Sequence, residues 1–89
     1  MSTRKYINIR VMELRERGSF MRYAVVIEKG KYYYGAYVPD LPECSAVGKT
    51  VEETRELIYN SISNHLGGLE EEGNSFPSPK TICEYVEIN

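Results

Sequence analysis

Residues 31–53 read KYYYGAYVPDLPECSAVGKTVEE, and the fold turns on how this stretch is divided. Tyr32 to Val38 is rich in aromatic and β-branched side chains and reads as a strand. Pro39 and Pro42 cannot donate to a ladder, so with Asp40 and Leu41 between them they end that strand in a rigid corner. Residues 43–48 (ECSAVG) return as a short third strand. A helix begins after Thr50, a preferred N-cap residue. Glu53, three positions on, completes a capping box, and Glu52 and Glu53 complement the positive helix end.

Upstream, RYAVVIE at 22–28 has strand composition. KGK at 29–31 is a short turn, with Gly30 free to take positive φ, so the two strands pair antiparallel. Downstream, Val51, Thr54, Ile58, Ser61, Ile62, His65 and Leu69 recur at three- and four-residue spacing, the buried face of a helix. Gly67 and Gly68 weaken its last turn, and Gly73 is the expected stop. NSFPSPK at 74–80 is an extended linker, and TICEYVEI at 81–88 alternates as a last strand does. The order β-β-β-α-β makes an α+β fold, a single layer of antiparallel sheet packed on one helix. In residues 1–20, Ile7, Ile9 and Val11 alternate, while Ile7, Val11 and Leu14 also fit a helix; a short strand near 6–12 is the preferred reading. Residues 1–20 are expected to be an extension, and 21–89 the domain.

An 89-residue chain holds one domain, near the size at which one core is marginally self-sufficient. No apolar run approaches the roughly 18 residues of a membrane span, and no secretory leader opens the chain, so a cytoplasmic location is expected. Cys44 and Cys83 are too few for a disulfide framework and read as reduced, half-buried thiols. Residues 1–20 carry five basic and two acidic side chains, net +3, whereas 21–89 carry six basic and eleven acidic, net −5. An acidic body repels phosphate, which counts against nucleic-acid binding and suits a basic protein partner. The basic arm is open to three readings: a separate contact, a mobile tail, or sequence upstream of a natural start at Met21.

One helix covers one face of a sheet. The other face is expected to carry Tyr33 and Tyr37 among small apolar residues, a surface that something else should cover. Self-association into a dimer or tetramer follows from that exposed face. An enzyme has little to work with here. His65 sits mid-helix on the inward-leaning side, where a structural role is the simpler reading. There is no phosphate loop, no nucleophile motif, and no CxxC or HxxxH pair for zinc, so neither metal nor cofactor is expected. Asp40 is a single acid near a strand end, insufficient for a metal-dependent nuclease. Glu70, Glu71 and Glu72 oppose the helix dipole and point to an ionic partner. The candidate interface residues are therefore Tyr33, Tyr37, Asp40, Glu43, Glu70, Glu71 and Glu72.

Six pieces occur in an informative order: YAVVIE at 23–28, YGAYVPDLPEC at 34–44, VGKTVEE at 47–53, HLGGL at 65–69, EEG at 71–73 and FPSP at 76–79. Together they resemble the HicB antitoxin family, specifically its small stand-alone members. The resemblance implies a β-β-β-α-β domain likened to a degraded RNase H fold, without enzymatic activity. It implies a partner as well, a HicA-type toxin: a small basic ribonuclease that cuts mRNA and is silenced by binding. Many members add a DNA-binding domain after this one. The sequence stops at Asn89, so direct operator binding is not expected. Glu43 stands where the family commonly has glycine, and Thr54 where it often has alanine. The alternatives are an orphan regulatory module of the same family, a direct RNA binder and a residual hydrolase.

Overall fold

The computed structural model describes residues 6–8, 12–16 and 19–89, with side chains from Met21 onward. The strands are β1 (Tyr6–Asn8), β2 (Met12–Glu16), β3 (Ser19–Tyr23), β4 (Val26–Lys29), β5 (Tyr34–Val38) and β6 (Leu41–Gly48), followed by the helix α1 (Val51–Glu71). Among the described residues the main sheet is antiparallel with order β1-β4-β5-β6, and β2 and β3 form a separate hairpin. The fold is α+β. Of the expected strand near 6–12, β1 covers Tyr6–Asn8, its Ile7 pairing with Ile27 of β4, whereas Met12 already belongs to β2. Residues 9–11 lie outside the described residues.

The helix is built as its sequence dictates. Thr50 has extended backbone, and its Oγ1 accepts the Glu53 N–H at 3.0 Å. Glu53 reaches back one residue further than a capping box requires, its Oε1 accepting the Lys49 N–H at 2.7 Å. Thr54, Ile58, Ile62 and Leu66, four residues apart, form the buried stripe. They meet Ile27, Ala36, Val38, Leu41 and Cys44 of the sheet, with Tyr23 and Val25 completing the core. Burying each Ile or Leu stabilises the fold by about 1.5–3 kcal/mol. Buried Thr54 is satisfied locally, its hydroxyl donating to the Thr50 carbonyl at 2.7 Å. The helix lies so close to β6 that a Cβ on Gly48 would sit 2.5 Å from Thr54 Oγ1. At the other end the Gly73 N–H donates to the Glu70 carbonyl and the Asn74 N–H to that of Leu69, with Gly73 at φ 76°, so the expected stop is a Schellman cap.

Four expectations need correction. Gly30 is not at positive φ; Gly73 is the described glycine that is. The turn falls later, at Lys31 and Tyr32, because the Gly30 N–H donates to the Tyr33 carbonyl at 2.7 Å and so closes the hairpin there. A Cβ on Gly30 would stand 2.9 Å from that carbonyl oxygen, so close approach is what glycine supplies. The strand consequently starts at Tyr34 instead of Tyr32. The stretch 22–28 is not one strand but breaks at Ala24–Val25. Tyr23, Ala24 and Val25 are all buried, which no strand with one wet face permits; the chain passes there from the hairpin into the main sheet. The corner is tighter than expected too. Val38 pairs with Leu41, so Pro39 and Asp40 form a two-residue turn, and a bulge at Pro42–Cys44 absorbs the register shift before Ser45 meets Tyr37.

The last correction concerns 81–88, which form no strand within the chain, so the expected closing β of β-β-β-α-β is missing. Alternation is present, but Pro77 and Pro79 keep the connection extended, and the segment does not turn back onto an edge of its own sheet.

Candidate partner-binding surface

The ladder register decides which residues share the face opposite α1. Glu28 stands across from Gly35 and Gly35 from Val47; Val26 stands across from Tyr37 and Tyr37 from Ser45. The outer face is thus a Tyr37–Val26 row beside a Glu28–Gly35–Val47 row. Tyr37 is 43% exposed and Val47 65%. Open space surrounds the position a Cβ would take at Gly35, leaving a shallow gap between Glu28 and Val47. Val47 was not singled out in the sequence, although it lies two residues from Ser45 on the same alternation. Tyr33 precedes β5 in the hairpin loop, 52% exposed, at the far end of β5 from the proline corner. Tyr32 is likewise in the loop, with the Lys31 ammonium 5.4 Å from its ring centre.

The acids divide by role. Asp40 is committed within the chain: its Oδ2 accepts the Lys80 and Thr81 N–H groups at 2.9 and 3.0 Å, and its Oδ1 accepts the Thr81 hydroxyl at 2.9 Å. Desolvation pushes this carboxyl up, but the donors from Thr81 and Lys80 and the Lys80 charge outweigh it, so it ionises below its ordinary range. Asp40 therefore fixes where the 74–89 segment leaves the domain. Glu43 faces the helix, its Oε1 3.6 Å from His65 Nε2, in line with a structural histidine. Cys44, next to it, is fully buried, its thiol donating to the Ser61 carbonyl at 3.8 Å, and burial raises its pKa. Cys83 is exposed, so the two free thiols are not the half-buried pair expected.

These contacts also orient the helix. Gly48 meets Thr54, Cys44 meets Ser61 and Glu43 meets His65, so α1 runs antiparallel to β6. The C-terminal end of the helix, with exposed Glu70, Glu71 and Glu72, therefore lies at the same end of the layer as Asp40 and Glu43. These acids thus lie toward one end of the layer, and Tyr33 toward the other. Leu66 is a core residue missing from the expected helix face, though its four-residue spacing from Ile62 marks it. Among the described residues no group of acids, histidines or cysteines is placed to hold a metal ion. None of their helices is long and apolar enough to cross a membrane.

Residues 23–89 match the family model described as the HicB-like antitoxin of bacterial toxin–antitoxin systems. The chain belongs to this family. A UPF0150 protein of Helicobacter pylori (strain J99 / ATCC 700824) is 42% identical over 64 residues, spanning 71% of this chain and 89% of that one. An uncharacterized 14.9 kDa protein from the rep-hol intergenic region of Haemophilus phage HP1 (strain HP1c1) is 33% identical over 66 residues, or 74% of this chain. The HicB-like chain spans about half the length of that phage protein, 50%. No solved structure matches it significantly.

Proposed function

We propose that this chain is an antitoxin that neutralises a HicA-type toxin ribonuclease by binding it, without chemistry of its own. Membership of the HicB-like antitoxin family over residues 23–89 carries this reading. A nuclease that holds anionic RNA presents a basic surface, and residues 21–89 have the opposite sign, with six basic and eleven acidic side chains. Glu43 and Glu70–Glu72, gathered at one end of the layer, steer the toxin on approach. Tyr37, at the same end but on the sheet face opposite α1, supplies rigid aromatic contact area of the kind that dominates binding energy. Asp40 acts indirectly, because its carboxylate is already taken by Lys80 and Thr81. Tyr33, in the loop at the opposite end, belongs to the interface only if the toxin spans the whole length of β5. Resemblance of the layer to a degraded RNase H fold is part of the same reading, as is a cytoplasmic site of action.

The test is co-expression with the small basic protein encoded beside this chain. Growth rescue and co-purification are expected. Tyr37→Ala should speed dissociation and Glu43→Lys should slow association, the second effect shrinking with added salt. A partner that neither co-purifies nor is silenced would leave an orphan regulatory module as the better reading.

A further inference from the structure

The segment after α1 is tied down closely as far as Thr81. The Asn74 N–H caps the helix, Phe76 packs against the core, the Tyr23 hydroxyl donates to the Pro77 carbonyl, and Asp40 takes the Lys80 and Thr81 N–H groups. Beyond Thr81 the chain forms neither helix nor strand, and Ile82, Val86 and Ile88 are 83%, 76% and 84% exposed. With Glu84 they form one side of an eight-residue alternation. Such a stretch has the form of a strand and lacks an adjacent ladder.

The main sheet offers a matching edge. Among the described residues β6 is outermost on one side and is eight residues long, whereas β1 on the other side is three. The longer open edge is that of β6, regular over Ser45–Gly48 and bulged at Pro42–Cys44. The helix packs against this edge strand. Leu57, Ser61 and His65 recur every four residues along α1, and the Ser61 and His65 contacts to Cys44 and Glu43 place that stripe over β6. Leu57, 42% exposed, extends it toward the Gly48 end.

We infer that residues 81–88 complete their ladder on β6 of a second copy, whose own 81–88 returns to the first. The occupant is a second copy because each copy carries both halves of the joint: one alternating segment with no strand beside it and one open edge. Two reciprocal additions close about a two-fold axis and leave neither edge open. Pro77 and Pro79 hold the connection extended, a hinge that favours exchange over folding back. This inference does not rest on the antitoxin reading and is measured on the chain alone, so either can fail without the other.

Sedimentation of the full chain at tens of micromolar is expected to give about twice 10.2 kDa. The double variant Val86→Lys with Ile88→Lys, and a chain ending at Lys80, should each sediment at half the wild-type mass with wild-type helix content by circular dichroism. Tyr37→Lys should keep the doubled mass. The inference is overturned by a wild-type chain of single mass, or by tail variants that keep the doubled mass. Loss of helix content in the lysine variant would overturn it too, since those side chains stand outside the protomer's core.

Discussion

The layer from Val26 to Glu71 and the segment from Asn74 to Asn89 treat their apolar groups in opposite ways. In the layer, Ile27, Val38, Leu41, Ile58 and Ile62 are within 1% of complete burial. In the segment, Ile82, Val86 and Ile88 are at least 76% exposed. Both regions carry the alternation or periodicity of an ordered element. The difference is that the layer's elements adjoin in sequence through turns of a few residues, so each finds its partner locally. The segment pairs with no described strand of its own chain. Periodicity reports that a stretch has two unlike faces; it does not say which chain covers them.

The comparison breaks most sharply at the layer's core. Ile58→Ala or Ile62→Ala should cost about 2–5 kcal/mol by leaving a cavity between helix and sheet. Urea midpoints report it, and a wild-type midpoint would mean that the layer is not held by this face. Gly48→Ala should cost about 1–3 kcal/mol, because the new methyl meets the Thr54 hydroxyl at 2.5 Å and Thr54 backbone nitrogen at 3.0 Å. Pairing it with Thr54→Ala should recover part of that loss, which thermal unfolding of the four chains measures. Thr50→Ala removes the acceptor for the Glu53 N–H and should lower stability by about 1 kcal/mol.

The smallest effect on global stability belongs to the junction between the regions. Asp40 is ionised below its ordinary range in the folded chain, so its clamp on Lys80 and Thr81 is fully present above the ordinary aspartate value. It is lost as pH falls through the lowered one. Acid titration followed by NMR should move the Lys80 and Thr81 amide protons together, with the helix amides unmoved. Asp40→Asn should shift the same two resonances at neutral pH while changing the unfolding midpoint by less than about 0.5 kcal/mol.

Much of the layer is legible in the sequence because its signals are short-range. Thr50, Glu53 and Gly73 mark the helix ends by backbone chemistry, and the four-residue recurrence from Thr54 marks its inner face. The proline corner reads correctly as a break, though not as a two-residue turn, because the bulge after Leu41 is a property of strand pairing. The same limit applies to the start of β5: composition cannot say at which tyrosine the ladder begins, and the Gly30 to Tyr33 hydrogen bond decides it. Asp40 reads as an exposed acid because its partners are forty residues away. The candidate surface was legible in its residue types and sign, but its grouping was not. Only the antiparallel run of α1 along β6 gathers Glu43 with Glu70–Glu72 and leaves Tyr33 at the other end.

Amide hydrogen exchange of the full chain at two concentrations tests the contrast between the regions most directly. Helix amides from Ile58 to Leu66 should be protected at both concentrations. Alternate amides between Ile82 and Ile88 should be protected at tens of micromolar and lose that protection on dilution, as a ladder completed by another chain requires. Protection of Ile82–Ile88 that is independent of concentration would mean the segment closes within its own chain. Free exchange at every concentration would mean that it pairs with no second copy. Either result contradicts a layer complete in itself joined to a strand completed from outside.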